Sequence, residues 1–494
     1  MDFLSQLADA LWNPWLLGMF LLTGLVYSAG SGFFQIFGLR IWWRATAGSL
    51  LRRRKRAVGG LSPVQALATA LASTMGTGSI AGVAAALTLG GPGAVFWMWV
   101  SALLGMMTGC GEKLLAVRYQ RPGPESALRG GPMYYLRDGL GSPLLAVCFC
   151  LACVPATLAG GDLVQSSSIA ASLEAAFGLP RLPVGLITAL LAGLVMLGGL
   201  GRIAAVSSAL VPAMALLYLG SGGVILLRHW NRIPEALALI VSCALSPSAA
   251  AGGAAGWTLS SALRYGVARG VFTNEAGLGT SAMAHGAARA DHPARQGMWG
   301  IFEVFLSTLV VCTVTALVIL VSGVWTPASP AALSGAPLTA AAFGSVLGRF
   351  GQGAVALSLL LFAFSSILGW SCYGEQCLSF LLSLLSSEKE RKRKEFCLIT
   401  LYRLVFLACA VLGAVWSPQT IWQLVDLCSA LMALPNLLAL LYLAPQALAL
   451  LRQWIDIQNF NVRKMEKTID SRRKCAYHKD SDFTRTQNKR SDSL

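Results

Sequence analysis

Apolar residues fill the chain from Trp15 to about Leu451 in long runs bounded by glycine, proline or charged clusters. A membrane-spanning helix needs about 20 mainly apolar residues. On that measure the runs predict helices over roughly 15–38, 63–88, 93–118, 143–176, 184–200, 203–228, 256–285, 297–322, 345–385, 396–416 and 421–451, about eleven spans. Two runs are not plain. The second holds Ser73-Thr74-Met75-Gly76-Thr77-Gly78-Ser79 at mid-length, and the seventh holds Phe272-Thr273-Asn274-Glu275-Ala276-Gly277-Leu278-Gly279-Thr280. Both put glycine and hydroxyl groups at the depth of lipid tails.

Backbone can unwind at that depth only where protein or a polar cavity takes up its N–H and C=O groups. One such cluster alone is equally what close packing of small residues produces. Two at corresponding positions point instead to a transporter site built from half-helices. The second and seventh spans would each open a five-helix repeat, with the first span outside. An odd number of spans per repeat forces the repeats to be inverted, which is the leucine-transporter-type 5+5 architecture.

Composition and charge narrow the class. Of 494 residues only 12% are charged and 55% are hydrophobic, with mean hydropathy +0.63, whereas soluble domains carry roughly 25% charged residues. The expected fold class is therefore an all-α polytopic membrane protein in the lipid bilayer. The net charge of +16 does not point to nucleic acid, because the Lys and Arg sit in loops and the tail. Basic loops follow odd-numbered helices: Arg40 to Arg56 after the first, Lys113 to Arg137 after the third, Arg289 and Arg295 after the seventh, and Lys389 to Lys394 after the ninth. By the positive-inside rule the N-terminus lies outside and the C-terminus in the cytoplasm of a bacterial inner (plasma) membrane. No basic region precedes the first apolar run, so no cleaved signal peptide is expected. The cysteines scattered in apolar runs, such as Cys148, Cys150 and Cys153, read as packing residues. The chain divides into an N-terminal helix and basic loop (1–62), a first repeat (63–233), a second, inverted repeat (234–451) and a basic tail (452–494) expected to be disordered.

A broken helix suits a zwitterion and a cation together. The half-helix that starts at the break offers free N–H groups to a carboxylate, and the one that ends there offers carbonyls to Na⁺ or an ammonium. Glu275, Glu303, Glu375 and Asp426 lie in or near spans, where ionisable groups are functional by default. Glu275 reads as a brace for the second break, and Arg264 or Arg269 as a partner for one of the acids. His229, His285, His292 and His478 form no catalytic or metal constellation, and His285 and His292 suggest a loop role. HExxH, GxSxG and a phosphate loop are absent, as is a channel filter. No enzyme activity, cofactor or obligatory protein partner is expected.

The interrupted spans and four further stretches resemble the alanine or glycine:cation symporter family, of the amino acid–polyamine–cation superfamily. The stretches are GTGSIAGVAAALTLGGPGAVFWMWVSALLGM from Gly76, GGPMYYL from Gly130, RGVFTNEAGLGTSAMAHGAA from Arg269, HPARQGMWGIFEVF from His292, FSSILGWSCYGE from Phe364 and DLCSALMALPNLLAL from Asp426. The resemblance implies import of a small neutral amino acid, alanine or glycine, with Na⁺, H⁺ being the alternative coupling ion. It implies that Thr74, Gly76, Thr77, Gly78 and Ser79 hold the substrate's main-chain groups, faced by Gln165, Phe272, Thr273, Asn274 and Gly277. Ser365 and Ser366, with the carbonyls of Ala72 and Met75, would form a cation site, Ser366 also bordering the substrate; without the resemblance, hydroxyls bonded back to the preceding turn fit those serines equally. Trp370, one turn beyond Ser366, would wall the pocket with Phe272. Ser79 and Asp162 stand where the family usually has Asn, Ser366 where Thr is common, Cys372 where Tyr is common, and Gly109 where Lys is common.

Overall fold

The computed structural model describes residues 10–12, 14–50, 61–123, 128–245, 258–326, 333–385 and 388–491, without the side chains of 50, 388–391, 418–419 and 461–491. Arg52, Arg53, Arg54, Lys55 and Arg56 of the first basic loop, and the start of the seventh expected span, lie outside them. Nearly every described residue is helical. α1 (Pro14–Gly30) leads into the short helices Phe34–Phe37, Leu39–Ala45 and Ala47–Leu50. α2 (Pro63–Thr74) opens with a capping box: Ser62 Oγ accepts from Gln65 N at 3.2 Å and Gln65 Oε1 accepts from Ser62 N at 3.1 Å. These bonds satisfy amides that a helix start leaves without partners. α2 stops at Met75, and after a 3₁₀ turn at Thr77–Ser79 the chain resumes as α3 (Ala81–Gly90).

α4 (Gly93–Arg118) follows, then a two-stranded ribbon pairing β1 (Arg121–Pro122) with β2 (Leu128–Arg129). α5 (Pro143–Leu158) and α6 (Val164–Phe177) form one span across a π turn at Ala159–Leu163. Next come α7 (Arg181–Met196), α8 (Gly199–Arg228) and α9 (Ile233–Leu245). The seventh expected span is two helices, α10 (Leu259–Asn274) and α11 (Thr280–Gly286). α12 (Pro293–Val304) and α13 (Thr313–Ser322) are joined by another π turn, Phe305–Cys312, a further one lying at Tyr135–Gly139. α14 (Gly335–Leu385), α15 (Glu388–Val415) and α16 (Pro418–Ser491) complete the chain.

Among the described residues seven helices are long and apolar enough to cross a membrane, and α1, α3 and α7 are shorter apolar helices. The faces left open by packing are apolar. Leu186, Ile187, Leu190 and Leu194 on α7 and Leu401, Leu404 and Leu412 on α15 are exposed, as lipid-facing surfaces are. In the interior α4 packs on α10 and α12, α6 and α8 pack on α14, α7 on α15, and α5 on α16. Gly109 and Gly300 let α4 and α12 meet backbone to backbone, since a Cβ on Gly300 would stand 2.5 Å from the Gly109 carbonyl oxygen.

α14 is two helices meeting at Gly348, whose φ of 61° and ψ of −146° are not helical, and the span expected at 345–385 is the second and longer of them. α16 is drawn on through the basic tail to Ser491, and neither glycine nor proline follows Pro445 to stop it. Lys113, assigned above to a basic loop, is inside α4 and fully buried.

Candidate functional site

The first break is a short stretch of extended and 3₁₀ backbone deep in the molecule, with Thr77, Gly78 and Ser79 all buried. Gln165, two residues past the π turn, reaches across: its Oε1 accepts from Thr77 N at 3.2 Å, and its Nε2 donates to the Gly160 carbonyl at 3.0 Å. Gly76 lies against Gln165 and Ser366 so closely that a Cβ there would stand 2.5 Å from Ser366 Oγ and 3.1 Å from Gln165 Oε1. A Cβ on Gly78 would meet Thr273 Oγ1 at 3.0 Å and the Phe272 ring at 3.1 Å. Thr315 and Thr339 donate to the carbonyls of Ser79 (2.8 Å) and Ile80 (3.2 Å). Thr77 Oγ1 is buried with no hydrogen-bond partner, and no side chain caps the start of α3. Polar groups without partners at this depth are costly unless a guest meets them.

Beside the break is a cluster of neutral oxygens. Ser366 Oγ lies 3.0 Å from the carbonyl oxygens of both Ala72 and Ser73; Ser365 Oγ lies 3.1 Å from Ala72 O and 2.9 Å from Phe362 O. Each hydroxyl has one hydrogen, so two hydrogens serve three carbonyls and some oxygens must face one another. A hard cation relieves that conflict, since such ions prefer oxygen ligands. The Phe362 contact is the bond to the preceding turn weighed in the sequence, and it coexists with the cluster.

The second break is built differently. Glu275, at φ 55°, ends α10, and Gly277 and Gly279 at φ 94° and 82° carry the turn, a region that side chains disfavour. Its free amides are already bound. Glu112 Oε1 accepts from Gly277 N (2.9 Å), Gly279 N (3.0 Å) and Asn436 Nδ2 (2.7 Å). Tyr135 donates to Asn436, and Thr280 to Glu275. Lys113 Nζ is 3.6 Å from Glu112 and 3.5 Å from Glu303, and Glu303 is 3.2 Å from His285, all fully buried. His285, read above as a loop residue, is instead part of this interior network. The bond from Thr280 to Glu275 spans the break from the start of α11 to the end of α10.

The structure thus brings together Gly76, Thr77, Gly78, Gln165, Phe272, Thr273 and Ser366 at one place, with Ser365 and Ala72 beside them. Other expected site residues face elsewhere. The Thr74 hydroxyl bonds back to Ala70 O at 3.0 Å, and Asn274 Oδ1 accepts from Ala276 N at 3.0 Å. The Gly277 amide is held by Glu112. Met75 ends α2, its N–H donating to Leu71 O at 2.8 Å, while Ser73 supplies the second carbonyl beside Ser366. Ser79 contributes its carbonyl to Thr315, but its hydroxyl stays at the first break and, like that of Thr77, is buried with no hydrogen-bond partner. Trp370 packs against Gly161 of the π turn, one layer behind the pocket wall. Phe272 does stand at the wall, edge-on to Trp422 with ring centroids 5.1 Å apart. Over Trp422 lies Arg269, 4.5 Å from the ring and paired with Asp426 at 3.1 Å. Sequence reasoning missed Ser73 O, Thr315, Thr339, Glu112 and Asn436. Of these only Glu112, an acid inside an apolar run, carried a visible signal.

Long apolar helices, and two interrupted ones of which the first break is edged by an unpartnered hydroxyl and the second is filled from within, define a multi-pass membrane transporter. The model of the sodium:alanine symporter family matches residues 1–468, and the chain belongs to that family. It is 42% identical over 89% of its length to an uncharacterized transporter of Haemophilus influenzae, covering 92% of that protein. It is 38% identical to the sodium/alanine symporter AgcS of Methanococcus maripaludis, over 90% of this chain and 95% of that one. To the probable sodium/glutamine symporter GlnT of Bacillus subtilis it is 36% identical, over 90% and 89%.

Proposed function

We propose that the chain is a secondary active symporter that imports a small neutral amino acid, alanine or glycine, with Na⁺. The observation that carries this reading is the oxygen cluster at the first break, where Ser365, Ser366, Ala72 O and Ser73 O hold more acceptors than hydrogens. The uncapped start of α3 and the unpartnered Thr77 hydroxyl suit a substrate carboxylate beside that ion. Phe272, pressed on Gly78, leaves little room for a long side chain, which favours alanine or glycine over glutamine. The architecture proposed is eleven spans with two inverted five-helix repeats after α1. In its support, α4 packs on α12, α6 on α14 and α7 on α15, each pair joining a span to the one five further on. The N-terminus is outside, the tail is in the cytoplasm, and the site opens alternately to each side as one bundle rocks against the other.

Radiolabelled alanine uptake into proteoliposomes tests this. Concentrative uptake is expected only under an inward Na⁺ gradient, and Ser366→Ala should weaken apparent Na⁺ affinity more than alanine affinity at saturating Na⁺. Uptake that merely equilibrates whatever the gradient would refute symport.

A further inference from the structure

Asp162 sits within the π turn Ala159–Leu163, completely buried, and neither of its carboxylate oxygens has a hydrogen-bond partner among the described residues. The turn packs against α5, α6, α14, α15 and α16. Tyr402 and Cys409 of α15 are close enough to feel its charge. Other titratable groups on these elements are engaged elsewhere: Glu375 of α14 is bound twice by Arg403 of α15, Asp426 of α16 by Arg269, and Tyr373 of α14 by Ser73. Cys153 of α5, Cys372 of α14 and Cys428 of α16 are thiols and bring no positive charge. Glu174 of α6 pairs with Arg181. No described cation therefore compensates an ionised Asp162, and no group of three or more His, Cys, Asp or Glu gathers there to hold a metal ion. A bare carboxylate so placed neutralises itself by taking a proton.

The position of the turn gives that proton a consequence. Gly161 abuts Trp370, and the Gly160 carbonyl holds Gln165, whose other end holds Thr77 N at the first break. We propose that Asp162 is a proton-binding site that controls uptake. Protonated, it lets the π turn stay packed and keeps Gln165 on the first break. When the O–H bond breaks, the proton passes to water, the electron pair stays on the carboxylate, and the charged side chain draws the turn out of place. Asp162 is thus a positioning residue acting through Gln165. The idea rests on the symport reading.

Two measurements decide it. In the first, alanine uptake is followed at fixed Na⁺ gradient while pH is raised equally on both sides. Wild type should lose about tenfold per pH unit once Asp162 titrates, and Asp162→Asn, which has the shape of the protonated form, should lose that alkaline fall. Identical pH profiles in both would overturn the proposal. In the second, the infrared difference spectrum between wild type and Asp162→Asn at neutral pH should show a protonated-carboxyl band belonging to Asp162, with Asp162→Ala as the reference if the Asn variant fails to fold. Carboxylate bands in its place would overturn it. The infrared result needs no transport, so a wild type that takes up no amino acid would refute the function proposed above while leaving the protonation of Asp162 decided.

Discussion

The two breaks look alike in sequence and differ in how their backbone is satisfied. At Met75–Ile80 the neighbours are neutral: Gln165, Thr315, Thr339, Ser365 and Ser366 each offer a hydroxyl or amide, and Thr77 Oγ1 is left without a partner. At Glu275–Gly279 the protein supplies its own anion, since Glu112 binds the two amides that a substrate carboxylate would otherwise take. The first break is open to a guest and the second is filled from within. A broken helix is therefore not by itself a binding site; what decides is whether the chain has already satisfied the ends.

The largest expected effect lies at the filled break. Glu112→Ala would strip Gly277 N and Gly279 N of their acceptor, leave Asn436 Nδ2 only the Gly277 carbonyl, and leave Lys113 with Glu303 as its paired acid. Removing one partner from a buried charge network costs about 3–5 kcal/mol. Thermal unfolding of purified protein should show a severe loss, with Glu112→Gln much milder because an amide oxygen still accepts from both amides. An unchanged melting temperature for Glu112→Ala would erase the contrast between the breaks. At the open break, Gly76→Ala should act on transport more than on folding. Its Cβ would crowd Ser366 Oγ and Gln165, and overpacking of that kind costs about 1–3 kcal/mol, or roughly a 5- to 150-fold weakening of apparent affinity. Gly82→Ala, with nothing within 4 Å of the new Cβ, should leave uptake as it is.

How much of this the sequence carried depends on range. Both interruptions were legible because two glycine and hydroxyl clusters stand at corresponding positions of the chain, where one alone would equally be close packing. Ser365, Ser366 and Ala72 were placed together through the resemblance, and they meet in space. What stayed hidden depends on contacts between residues far apart in the chain. Glu112 and Asn436 are separated by 324 positions, and nothing local says that one caps the break while the other holds it. Lys113 read as a loop charge although the expected span 93–118 already contains it, and only its burial beside Glu112 and Glu303 shows that it belongs to the interior. The π turns at Ala159–Leu163 and Phe305–Cys312 leave no mark on periodicity, because one extra residue in a long apolar run changes which face points inward without ending the helix.

Two smaller effects sharpen the comparison. Phe272 touches the open break at Gly78, whereas Trp370 packs behind it on Gly161. Phe272→Ala should therefore relax the size limit on competing amino acids, moving larger neutral side chains by about tenfold in inhibition, and Trp370→Ala should do so less. A competition panel with the reverse order would move the wall to Trp370.

The smallest effect is expected at His292, at the edge of the second break's support. Its Nδ1 accepts from Ala294 N at 3.2 Å and so caps α12, the helix that carries Glu303. Burial holds this imidazole below its ordinary value of 6.5, and only the neutral ring can accept that bond. The folded state thus prefers the unprotonated form, so the stabilisation is fully present above the unfolded value and is lost as pH falls through the lower folded one. A cap of this kind contributes about 1 kcal/mol or less. His292→Ala should lower the melting temperature slightly at neutral pH, and the difference from wild type should close in acid; a gap that widens instead would mean that the charged ring is the stabilising form.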